Sequence, residues 1–113
     1  MREIIFYATT SGQNPIQDFL ETLTSKKAQK VTWVLNLVGE LDRVPSQYFK
    51  KLINTNDIWV RALLGSNIFR LLGFFGGINL FVLAHAFKKK TQKTPKRDIR
   101  IAEERKQDYL RRS

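Results

Sequence analysis

Two arginines and a run of lysines are the side chains of this chain best suited to chemistry. Arg61 and Arg70 interrupt two apolar runs, Ile58 to Leu64 and Ile68 to Phe75. Lys88, Lys89, Lys90 and Lys93 follow a third, Ile78 to Phe87. A guanidinium grips phosphate oxygens through paired N–H donors, and an ammonium adds a compact point charge. Trp59 offers an aromatic face on which an unstacked base can lie. This is the inventory for binding RNA and stabilising a phosphorane-like transition state. RNA brings its own nucleophile, the 2′-hydroxyl, so such a site needs orientation and charge more than a nucleophilic triad.

His85 is the sole histidine. Its ordinary pKa suits acid–base work. Strict strand alternation places it on the side of Leu83 and Phe87, opposite Ala84 and Ala86. In that setting a satisfied core or edge histidine is the commoner outcome. With no cysteine and no second histidine, neither a disulfide framework nor a metal cluster is expected, and no cofactor is called for. Gly73, Gly76 and Gly77 fit sheet and turn geometry better than a phosphate-binding loop of Walker or dinucleotide type. Ser11, Ser25, Ser46 and Ser66 all fall in turn or cap contexts.

Charge points the same way. The 113 residues carry a net charge of +10, and eleven of the twenty basic residues but only four of the ten acidic ones lie in 88–113. Such asymmetry marks a polyanion partner, and nucleic acid or an acidic protein would satisfy it equally well. Lys96 and Arg97 extend the cationic run beyond Pro95 as further RNA contacts. A hydrophobic fraction of 42% supports one domain over 1–113 with one core. The opening apolar run is too short for a signal peptide, and no stretch of roughly 18 apolar residues is present. A soluble cytoplasmic protein without a membrane partner is expected.

These residues need a scaffold. Residues 3–8 read as a strand and 9–13 as a turn. Asn14 and Pro15 open a helix whose apolar face is Ile16, Phe19, Leu20 and Leu23. Ser25 caps a second helix with Ala28, Val31, Leu35, Val38 and Leu41 on its buried side. Strands follow at 49–53, 58–64, 68–75 and 78–87, with Gly76-Gly77 turning the last pair. Thr94 and Pro95 begin a final helix that packs through Ile99, Ala102, Tyr109 and Leu110. The fold class is α+β: an N-terminal helical hairpin on a twisted antiparallel sheet, with a C-terminal helix. The helices cover one sheet face and leave the other free for function.

Alternation assigns Ile58, Val60, Ala62 and Leu64 to the core and Trp59 and Arg61 to the opposite side. Burying either arginine without a partner would be costly. An ion pair with Asp57, Asp42 or Glu40 explains Arg70 as well as a ligand does.

Five stretches resemble one known family. They are Asn14-Pro15-Ile16-Gln17-Asp18-Phe19-Leu20, Ile58-Trp59-Val60-Arg61, Ile68-Phe69-Arg70-Leu71-Leu72, the run from Leu83 to Pro95, and Ile101 to Leu110. The run Phe-Lys-Lys-Lys-Thr-Gln-Lys-Thr-Pro at 87–95 is the most specific. Across essentially its whole length the chain resembles RelE/ParE-superfamily toxins of the HigB type, in the phage-derived Gp49-like group. The resemblance implies a RelE-like fold and a toxin of a type II toxin–antitoxin system. Such toxins enter the ribosomal A site and cleave mRNA, without metal, by 2′-hydroxyl attack on the adjacent phosphate. It implies a cognate helix-turn-helix antitoxin of HigA type as partner, beside the ribosome and mRNA. Arg61, Arg70, Lys88 and Lys89 fall at its cationic catalytic positions, with His85 the nearest acid–base group, and Trp59, Lys90, Lys93, Lys96 and Arg97 would hold RNA. The chain departs from the pattern in having no Tyr or His between the last strand and Tyr109. Two other classes stay open: a ParE-like toxin acting on DNA gyrase, and a catalytically silent protein that binds nucleic acid or antitoxin.

Overall fold

The computed structural model describes residues 2–41, 43, 49–52, 59–63, 69–88 and 95–112, with the backbone alone at Lys50 and at 59–63. In chain order the elements are β1 (Glu3–Phe6), α1 (Pro15–Glu21), α2 (Ser25–Glu40), β2 (Lys50–Lys51), β3 (Trp59–Leu63), β4 (Phe69–Gly77), β5 (Leu80–Lys88) and α3 (Lys96–Arg112). The class is mixed α and β, with three helices among the described residues.

Local chemistry explains most boundaries. The Asn14 side chain accepts from the Gln17 amide at 3.0 Å, and Pro15 occupies the first helical position of α1. The cap of α2 is Thr24, not Ser25: its hydroxyl accepts from the Lys27 amide. Gly12, at φ 90°, closes the turn before α1 in a conformation that favours glycine. The β4–β5 turn falls on Ile78 and Asn79, two residues later than the glycine pair suggests. Gly76 and Gly77 end β4 instead, and Ile78 stands 95% exposed at the tip.

The five strands lie in the order β1-β5-β4-β3-β2. Neighbours from β2 to β5 run antiparallel, as a meander should. β1 pairs in parallel with β5, from Glu3 opposite Leu80 to Phe6 opposite Leu83. The sheet is therefore mixed, which corrects the antiparallel expectation. The chain leaves β1 through α1 and α2 and returns beside it only with β5.

Both faces of the sheet are covered. On one, Ile16 of α1 and Val31, Val34, Leu35 and Val38 of α2 cluster with Phe69, Leu71, Phe81 and Leu83. On the other, Tyr7, Leu72, Phe74, Val82 and Ala84 cluster with Ala102 of α3, and Tyr109 packs against them. The expected free face is thus occupied by α3 over β4 and β5. Leu41 and Leu110, expected in the core, are 40% and 47% exposed.

One irregularity in β5 has consequences for the site. The β4–β5 register pairs Leu72 with His85 but Gly73 with Leu83, so Ala84 is an extra residue. A bulge of this kind re-aims the side chains that follow it. Gly73 meets the same distortion: a Cβ there would lie 2.4 Å from the Val82 carbonyl oxygen and 2.6 Å from the Phe81 ring.

Candidate active site

The bulge decides where His85 points. Leu83 and Ala86 pack with the α1–α2 cluster, while Ala84 and Phe87 pack with the α3 cluster. Two consecutive residues, Ala84 and His85, therefore face α3. Regular alternation would have sent His85 to the side of Leu83. Its ring stacks on Phe87, with centroids 5.4 Å apart and planes at 22°.

Both ring nitrogens of His85 meet α3. Nε2 lies 2.7 Å from Oδ1 of Asp98, a residue only 5% exposed. Arg105 donates through Nη1 to the Ala84 carbonyl at 2.7 Å, and the same atom stands 3.4 Å from His85 Nδ1. A guanidinium N–H can only donate, so this geometry matches a tautomer with the proton on Nε2, facing Asp98, and Nδ1 as the acceptor. Burial is the largest influence on the imidazole and pushes its pKa down. Asp98 opposes this, while Arg105 and Arg97 add to it. The pair is an imidazole hydrogen-bonded to a carboxyl group, in surroundings that favour the neutral ring.

A second set of contacts seats the far end of α3. The Tyr7 hydroxyl donates to Oδ2 of Asp108 at 2.5 Å. Arg112 bridges the same oxygen at 2.8 Å and donates to the Ala8 carbonyl. The guanidinium carbons of Arg105 and Arg112 lie 5.9 and 5.5 Å from the Tyr7 ring centroid, within cation–π range. Burial first, then the bond to Asp108, raises the Tyr7 pKa. That same bond is the main cause of the lowered Asp108 pKa.

Among the described residues, Arg70 and Lys88 do not share a face. Arg70 is half-buried and pairs across the ladder with Phe87 on β5 and with Ala62 on β3. Burial lowers its pKa. Lys88, exposed at the end of β5, pairs with Phe69. Phe69 belongs to the α1–α2 side, so Arg70 and Lys88 alternate between faces. At the backbone level, Arg61 pairs with Leu71 and Trp59 with Gly73. The Arg61 position is therefore one register step from Arg70. Lys96 and Arg97 are exposed in the first turn of α3. Lys89, Lys90 and Lys93, like Asp42 and Asp57, lie outside the described residues. Among the described residues, no group of three or more potential metal ligands occurs, and no helix is long and apolar enough to cross a membrane. A groove of about 390 Å³ runs between α2 and β1, lined by Ile4, Phe6, Leu20 and Leu35 among others. It contains none of the candidate residues.

Asp98, Arg105, Tyr7 and Asp108 escaped the sequence reading. A signal for two of them, Asp98 and Arg105, exists. Asp98, Ala102, Arg105 and Tyr109 recur at spacings of four, three and four, the stripe of one helix face. Counting apolar residues alone hides a packing face that is half polar.

No curated protein matches the chain. A family model does, over residues 18–107, from the body of α1 to well inside α3. That span contains the bulged strand, the residues of the cationic run and most of α3, and it identifies the chain as a member of the phage-derived Gp49-like family (DUF891).

Proposed function

We propose that this protein is the toxin of a type II toxin–antitoxin pair. In this reading it enters the ribosome and cleaves mRNA by directing a 2′-hydroxyl onto the adjacent phosphate. The observation that carries the reading is the family match over 18–107, since Gp49-like proteins are associated with toxins of the RelE superfamily. The charge supports it: +10 overall, concentrated after Lys88. Arg70, with its hydration reduced by burial, is suited to a bidentate phosphate contact. Arg61, Lys88 and Lys89 supply further positive charge as the phosphorane forms. Trp59, Lys90, Lys93, Lys96 and Arg97 hold the strand. A helix-turn-helix antitoxin of HigA type is the expected silencing partner, and the cytoplasm the place of action.

Induced expression tests this directly. Translation should stop, and mapped mRNA ends should fall within translated codons. Arg70→Ala and Lys89→Ala should each relieve the arrest. Arrest unchanged by both substitutions would sink the endonuclease reading. DNA damage with intact mRNA would indicate a gyrase-directed toxin instead, and growth without arrest a silent binder. RNA affinity should fall steeply as salt rises, because phosphate contacts release counterions.

A further inference from the structure

Around the cationic segment, the chain on both sides is tied down by the same three side chains. His85 lies three residues before Lys88, and Asp98 three residues after Pro95. Their 2.7 Å hydrogen bond closes the two flanks against each other. Arg105, one helical face further along α3, secures the strand side by binding the Ala84 carbonyl at 2.7 Å. The bulge at Ala84 is what turns His85 toward this partner. We propose that His85, Asp98 and Arg105 form a positioning unit that fixes both flanks of the 88–95 segment, and that His85 acts through this unit without transferring a proton to or from the substrate.

The nitrogen accounting supports this. Nε2 spends its proton on Asp98, and Nδ1 faces a guanidinium N–H. A ring so engaged has no nitrogen turned to a substrate hydroxyl. An imidazolium would set an Nδ1–H against Arg105, an arrangement the site disfavours. Asp98 is 5% exposed and spends Oδ1 on the imidazole, so its carboxyl is engaged within the fold. The unit sets the points at which the chain leaves β5 and enters α3, and misplacing a catalytic group by about 1 Å can cost roughly 10²-fold in rate.

The inference rests on the reading of 88–95 as the RNA-gripping segment. Two measurements test it, one of which needs no activity. In the first, ribosome-dependent cleavage is compared among wild type, His85→Ala, His85→Gln, Asp98→Ala and the double alanine variant. His85→Ala and Asp98→Ala should each reduce cleavage by roughly 10²-fold, and the double variant should be no worse than either. His85→Gln keeps an N–H that can reach Asp98, so it should recover most of the lost rate with the wild-type pH profile. A glutamine variant as inactive as alanine, beside an active Asp98→Ala, would overturn the proposal and make His85 a catalytic residue. In the second, the imidazole nitrogens of the purified protein are read by ¹⁵N NMR at neutral pH. A protonated Nε2 and bare Nδ1 are expected, changing in Asp98→Ala. The opposite tautomer, or no response to Asp98→Ala, would equally overturn it. If wild type cut no mRNA while the NMR signature held, the endonuclease reading alone would fall.

Discussion

α1 and α2 attach to the sheet mainly by a broad apolar seam, with Arg2 hydrogen-bonded to the last carbonyls of α2, whereas α3 attaches by a short apolar patch framed with polar clasps. On the first face Ile16, Val31, Val34 and Val38 meet Leu71, Phe81 and Leu83, all at 1% exposure or less. On the second, Ala102 and Tyr109 supply the helix's apolar contact, and Asp98, Arg105, Asp108 and Arg112 supply the rest. Apolar packing is non-directional and tolerates small shifts, whereas hydrogen bonds fix an element's register to a few tenths of an ångström. The first face is built for stability. The second is built for placement, and it is the one joined to the cationic segment. α3 buries only Asp98 and Ala102, whereas α2 buries Val31, Val34, Leu35 and Val38, so the two faces should separate in their local stability.

The largest expected effect breaks the first face. Phe81 is 1% exposed and makes edge-on ring contacts with Phe49 and Phe75. Phe81→Ala should cost about 3–5 kcal/mol, lowering the denaturation midpoint of the whole molecule. Hydrogen exchange should accelerate in the strands and helices alike. The counterpart on the second face is Asp98→Ala, which leaves a buried imidazole N–H without its acceptor. A loss of about 1–3 kcal/mol is expected, with faster exchange in α3 and little change in α2. Equal loss of protection in α2 would mean that the two faces are one cooperative unit.

How far this contrast could be read beforehand depends on the kind of contact. Ile16, Val31, Leu35 and Val38 announce the first seam by period, and the capping Asn14 and Pro15 announce its start. The strands of the meander are legible for the same reason. The second face is not, because its signal is a helix stripe with charged members, Asp98 and Arg105, which periodicity counts as solvent-facing. The bulge at Ala84 is silent in the sequence as well. No residue type there demands it, and only Gly73 across the ladder, with no room for a Cβ, reflects it. That one extra residue reverses the expected side of His85. The pairing of β1 with β5 is a matter of topology that local pattern does not carry.

Acid should sharpen the contrast further. Burial, with Arg105 and Arg97, depresses the His85 pKa against the pull of Asp98, so the folded state binds fewer protons than the unfolded chain below about pH 6.5. Stability from this group is fully present above that value and is lost as pH falls through the window beneath it. Exchange in α3 should therefore quicken between neutral pH and about pH 5 before α2 responds. His85→Gln should flatten this difference between the two helices. An identical acid response in the variant would assign the effect to carboxylates elsewhere.

The smallest effect concerns the far end of α3. Tyr7 donates to Asp108 beneath two guanidinium groups, and its pKa is raised by burial and by that bond. A raised phenol contributes stability that is fully present below the unfolded value of about 10 and is lost as pH rises through the folded one. Tyr7→Phe keeps the ring and its packing against Arg105 and Arg112 but removes the donor. The expected cost is about 1 kcal/mol or less, with the alkaline loss of α3 protection weakened and the acid loss unchanged. The two ends of the helix would then titrate as separate clasps. If Tyr7→Phe also altered the acid response of α3, the His85 end and the Tyr7 end would be coupled through Arg105, which touches both, and the second face would behave as a single device.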